Sequence, residues 1–216
     1  MTNATDALER LKEGNKRFVS DAHDTSALTT QSRREDLVGK QEPFAIILGC
    51  SDSRVPAELV FDQGLGDLFV IRVAGNIVAP SLIGSVEFSA LTHGVRLVVV
   101  MGHSSCGAIQ ATVNELEQPS SERSPNLAAI VNRISPSVKT LIEAGVGKDR
   151  EALIRHATRA NVRASVSQLR TGSPILEELI AREGLQVIGA EYSLETGQVD
   201  FFDAESDGSY QAAVEH

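Results

Sequence analysis

Three short apolar runs constrain this chain more than any other feature: FAIIL at 44–48, LFVIRV at 68–73 and LVVVM at 97–101. They are rich in branched side chains, bounded by glycine, and apolar at successive positions instead of alternating. Such runs are strands buried on both faces, the habit of a parallel sheet. Helical patterns fall between and after them, at about 81–93, 105–117, 126–143, 149–170 and 174–183. Strand, crossover, strand, helix, strand, helix is the order of an α/β fold with right-handed crossovers. Near the end, 185–192 and 198–202 flank Glu195-Thr196-Gly197 and predict a hairpin that extends the same sheet. The expected architecture is a central, mostly parallel β-sheet flanked by helices.

At the other end, Leu8, Leu11, Phe18 and Val19 lie near helical spacing within 5–20, with Thr5 or Asp6 as candidate cap. Only one side of this helix is apolar, so residues 1–40 read as an N-terminal helical arm packed elsewhere. A short charged helix over 31–39, ending at Gly39, completes the arm. The best loop, QPSSERSP at 118–125, is too short to separate two domains, and 216 residues fit one. A net charge of −9 argues against a nucleic-acid partner, since such binders neutralise phosphates with basic residues. No stretch approaches the roughly 18–20 consecutive apolar residues of a membrane span. The first residues lack the basic and apolar regions of an export signal, and two cysteines cannot build a secreted disulfide framework. The expected location is the cytoplasm.

Those two cysteines sit at strand ends. Cys50 follows the first run, His103 follows the third, and Cys106 lies three residues further on. Ligands of open α/β sheets gather at the carboxyl ends of strands. Two thiols and an imidazole suit Zn²⁺, and three protein ligands with one open position is the catalytic pattern. Spacing alone leaves this reading level with a blander one, in which two core cysteines lie near a hydrogen-bonded core histidine. The residues after Cys50 shift the balance. In Cys50-Ser51-Asp52-Ser53-Arg54, Arg54 is placed to hold Asp52 ionised as a pure hydrogen-bond acceptor. The alternative is a turn salt bridge of little energetic worth. A phosphatase-type loop fails because it needs five residues between Cys and Arg, and here there are three.

Cys50-Ser-Asp-Ser-Arg54 followed by Gly102-His103-Ser-Ser-Cys106-Gly107 resembles the β-class carbonic anhydrases of bacterial type. The resemblance runs from about residue 5 to the terminal hairpin and is densest over 40–113. It implies one Zn²⁺ per chain on Cys50, His103 and Cys106, with Asp52 and Arg54 as the catalytic dyad. It implies a substrate pocket in which Gln41 hydrogen-bonds bicarbonate, Phe69 and Phe88 form walls, and the Gly107 N–H faces the substrate. In that family several wall residues come from the neighbouring subunit, so a homodimer or a dimer-of-dimers tetramer is implied, with the active site at the interface. The implied reaction is the reversible hydration of carbon dioxide to bicarbonate and a proton by zinc-bound hydroxide. A carbonyl sulfide or carbon disulfide hydrolase on the same zinc site is the alternative. The segment VAGN at 73–76 reads as a turn leaving a strand and resembles a stretch that lines the site. Ile47, Arg72 and Tyr192 correspond to a regulatory bicarbonate pocket that has a tryptophan in some relatives, but this chain has no tryptophan.

Overall fold

A computed structural model describes residues 2–22, 29–119, 124–146 and 149–202. Helix α1 spans Ala4–Val19 and α2 spans Gln31–Asp36. Strand β1 (Ala45–Gly49) leads through α3 (Ala57–Val60) to β2 (Leu68–Arg72), and a 3-10 turn (Ala74–Asn76) leads on to α4 (Pro80–Thr92). Strand β3 (Leu97–His103) is followed by α5 (Gly107–Glu117), α6 (Pro125–Glu143), α7 (Arg150–Thr171) and α8 (Pro174–Glu183). The chain then forms β4 (Gln186–Tyr192) and β5 (Val199–Phe202).

The strands lie in the order β2-β1-β3-β4-β5. The first three pairings are parallel and the last is antiparallel, so the α/β sheet and its terminal hairpin are as the sequence predicts. Alternation along each strand feeds two cores. Ala45, Ile47, Val99, Met101 and Ile188 face α1 and α3. Ile46, Leu48, Val98, Val100 and Val187 face α4, α7 and α8. Each buried aliphatic side chain contributes about 1.5–3 kcal/mol, which is why β1 and β3 carry no polar residue before His103. Among the described residues, no helix is long and apolar enough to cross a membrane.

Several boundaries differ from the expected ones, each for a local reason. Helix α1 begins earlier because Asn3 is its cap, its side-chain oxygen accepting from the Asp6 N–H at 2.8 Å. Thr5 and Asp6 therefore lie in the first turn, where the Asp6 carboxylate complements the helix dipole. The α2 helix ends at Asp36, not Gly39, and residues 37–39 form a turn. The helix expected from 105 starts at Gly107, because Ser105 has a left-handed φ of 56° and Cys106 is extended. As for the arm, the α1 stripe of Ala4, Ala7, Leu8 and Leu11 is buried on the chain's own sheet.

Candidate metal centre

Parallel pairing brings the ligand positions together. Gly49 of β1 lies opposite Met101 of β3, so Cys50 leaves the sheet beside the end of the strand that carries His103. The left-handed Ser105 then turns the chain back, and Cys106 becomes the residue that caps α5. The Sγ atoms of Cys50 and Cys106 and a ring nitrogen of His103 lie within 4.8 Å of one another. All three residues are buried, at 5%, 1% and 0% exposure respectively.

The histidine's tautomer is set by its surroundings. Its Nδ1 lies 2.9 Å from the Ser104 carbonyl, which only accepts, so Nδ1 carries the proton. That leaves the Nε2 lone pair facing the sulfurs, and Nε2 is buried without a hydrogen-bond partner among the described residues. Hydrogen bonding from Cys106, opposed by burial, pushes the Cys50 thiol down to about 4. The same bond, together with burial, pushes Cys106 up. One sulfur is thus favoured as the thiolate, and a cation between the two would favour that charged form further. The Gly75 N–H also donates to Cys50 Sγ, at 3.4 Å. Gly75 has φ 70°, and an added Cβ would come within 2.8 Å of Ile134 Cδ1. The turn at 73–76 is held from α7, where Asn161 donates to the Gly75 carbonyl and Ser165 to the Asn76 carbonyl.

Beside this cluster, Arg54 grips Asp52 as a fork. Its Nε donates to Oδ1 at 2.9 Å and Nη2 to Oδ2 at 2.7 Å, while the Arg54 backbone N–H adds a third bond to Oδ1. The guanidinium holds the Asp52 carboxyl well below the usual carboxylate range. Oδ2 is 3.9 Å from His103 Nε2, so an ionised acceptor borders the cluster. Arg72, at the end of β2, anchors the loop beneath by donating to the carbonyls of Cys50 and Asp52.

The profile of a family described as carbonic anhydrase matches residues 45–199. The chain is 36% identical over 201 residues to a carbonic anhydrase of Mycolicibacterium smegmatis, covering 92% of this chain and 93% of that protein. It is 37% identical over 200 residues to carbonic anhydrase 2 of Mycobacterium tuberculosis, covering 91% and 92%. Among solved structures, the β-carbonic anhydrase CcaA superposes with a TM-score of 0.70 at 27% identity, covering 91% of this chain and 95% of that one. The chain belongs to the β-class carbonic anhydrases.

The donor set fits a zinc ion. Tetrahedral zinc, with bonds of about 2.3 Å to sulfur and about 2.0 Å to nitrogen, spaces its ligands roughly 3.5–4 Å apart. That is compatible with the 4.8 Å limit here, and the buried, unpartnered Nε2 is the atom such an ion would need. Gly107 opens α5 next to Cys106, and a Cβ there would meet nothing within 4 Å.

The other pocket residues named from the family resemblance lie elsewhere. Phe69 pairs with Ile46, four residues before Cys50, which is about 13 Å along the strand. The Phe69 and Phe88 rings are 6.2 Å apart, and His93 packs against both. Gln41 lines a cavity of about 480 Å³ together with Phe44, Thr92 and His93. Within one chain, then, Gln41, Phe69 and Phe88 occupy the end of the sheet opposite the metal cluster. Sequence reasoning missed the anchoring by Arg72, although an arginine placed opposite Gly49 is a readable signal. As for the regulatory positions, Ile47 is fully buried in the sheet and Arg72 is engaged by the Cys50 loop.

Proposed function

We propose that this chain catalyses CO₂ + H₂O ⇌ HCO₃⁻ + H⁺ with one zinc ion on Cys50, His103 and Cys106, as a cytoplasmic homodimer or dimer of dimers. The carrying observation is an ionised, forked Asp52–Arg54 pair bordering three buried ligand atoms. A zinc ion held there would supply a Lewis acid that makes water nucleophilic near neutral pH.

The chain's own residues do the rest. Asp52, held ionised and unable to donate, accepts the hydrogen bond of the attacking water and orients its lone pair. Arg54 keeps that carboxylate in place with two parallel bonds. The family resemblance assigns the Gly107 N–H to carbon dioxide or the product anion. A second copy of the chain supplies Gln41, Phe69 and Phe88 as the opposite wall. This reading is supported by the separation of the two groups within one chain. It is also supported by α4, where Phe88 and Leu91 are 51% and 58% exposed although the opposite side of the helix is buried. A reducing cytoplasm keeps both thiols available to the metal.

The test is zinc content and CO₂ hydration measured before and after chelation. About one zinc per chain, with activity lost on chelation and regained with zinc, supports the reading. Full hydration activity in metal-free protein overturns it. Parallel assay of carbonyl sulfide and carbon disulfide hydrolysis separates the alternative substrate class.

A further inference from the structure

We propose that Ser104 and Glu195 form a positioning pair through which the β4–β5 hairpin fixes His103 and Cys106. The proposal rests on the reading that these residues hold a metal. Every polar group of Ser104 is committed. Its N–H donates to the Tyr192 carbonyl at 2.9 Å, and its carbonyl receives His103 Nδ1 at 2.9 Å. Its hydroxyl accepts the Leu194 N–H at 2.9 Å and donates to Glu195 Oε2 at 2.8 Å. Glu195 Oε2 takes a second bond from the Ser193 hydroxyl at 3.1 Å, and that hydroxyl accepts the Thr196 N–H. The turn is closed by Ser193 N–H to the Gln198 carbonyl and Gly197 N–H to the Ser193 carbonyl.

This network reaches two ligands by different routes. The first is the Ser104 carbonyl, whose position decides where the His103 ring points its Nε2. The second is the backbone of Ser105, which follows directly and holds a left-handed φ of 56°. A non-glycine residue held in such a region is strained and persists only where its surroundings over-determine it. Bonds to Tyr192, Leu194 and Glu195 immobilise the residue before that turn, and the turn in turn aims Cys106 at Cys50. Glu195 and Ser104 are 91 residues apart in sequence, so the hairpin closes the site from the far end of the described chain. The Ser104 hydroxyl, the Glu195 backbone, the Ser193 hydroxyl and the charge of Arg54 hold the Glu195 carboxyl below its usual range, which keeps it an acceptor at neutral pH.

The experiment uses the zinc-loaded and cobalt-substituted full chain. Zinc release to a chromogenic chelator and the cobalt visible spectrum are recorded for the parent, Ser104→Ala, Ser104→Thr, Glu195→Ala and the double alanine variant. Ser104→Ala should release zinc about 10-fold faster and shift the cobalt bands, as expected when support behind a metal-bound histidine is removed. Ser104→Thr, which keeps the hydroxyl, should restore both. Glu195→Ala should move both readouts in the same direction, and the double variant should be no faster than Ser104→Ala alone, because the two residues act through one bond. Glu195 is exposed, so its variant decides the matter if Ser104→Ala does not fold. A zinc-loaded parent with Glu195→Ala unchanged in both readouts, or a double variant whose effects multiply, overturns the positioning pair alone. A parent that takes up neither metal overturns it together with the reading beneath it.

Discussion

At the residue scale, the division of labour between Asp52 and its neighbours yields the sharpest test. Asp52 is not among the clustered ligands, but its Oδ2 stands 3.9 Å from His103 Nε2 and is turned onto Arg54. Asp52→Asn should therefore keep zinc and lose roughly 100-fold or more of CO₂ hydration, since an amide presents a donor where an acceptor is required. Stopped-flow hydration assays beside metal analysis check this, and a parent-like rate would remove the acceptor role. Cys106→Ser behaves differently: a hydroxyl is a poor ligand for zinc, so metal analysis should find well under one zinc per chain. These residues were legible in the sequence because only a few side chains can ligate zinc or fork a carboxylate. Gly75 was read only as part of a turn lining the site, and Ser104 was given no role, because the two act through a backbone N–H and a backbone carbonyl. No side-chain pattern advertises those atoms.

Elements were legible where hydrophobic period decides them and illegible where a single contact does. The inner strands and long helices follow from apolar spacing, but the docking of α1 does not. It depends on Gly14, where a Cβ would lie 1.8 Å from the Phe61 carbonyl oxygen, so only glycine lets α1 approach the end of α3. It depends equally on Asn15, whose amide donates to the Val60 and Gly197 carbonyls and accepts the Val199 N–H. One buried side chain thus ties α1 to both α3 and the terminal hairpin. Asn15→Ala strands these backbone groups, at a cost of about 1–3 kcal/mol for a buried unsatisfied group. Urea unfolding should show a lower midpoint. Gly14→Ala should be at least as damaging, because a backbone carbonyl cannot step aside. If both variants unfold like the parent, α1 is not docked where the structure has it.

At the scale of the whole molecule, the residues assigned to the proposed site fall into two groups at opposite ends of one sheet. The C-terminal end of the strands bears Cys50, His103, Cys106 and the dyad, and the N-terminal end bears Gln41, Phe69 and Phe88. A two-fold dimer that sets one end against the other makes two complete sites, each from both chains. The exposed Phe88 and Leu91 side of α4 lies at the N-terminal end and offers such an interface its apolar surface. Mixing two defective chains tests this directly. Cys50→Ser leaves a chain with Gln41 but no metal, and Gln41→Ala leaves one with metal but no amide. If each site is shared, random reassociation makes half the dimers mixed, and each mixed dimer holds one intact site, so about a quarter of parental activity should return. If each site is built within a single chain, the mixture should show only the average of the two separate variants, and the shared-site dimer falls.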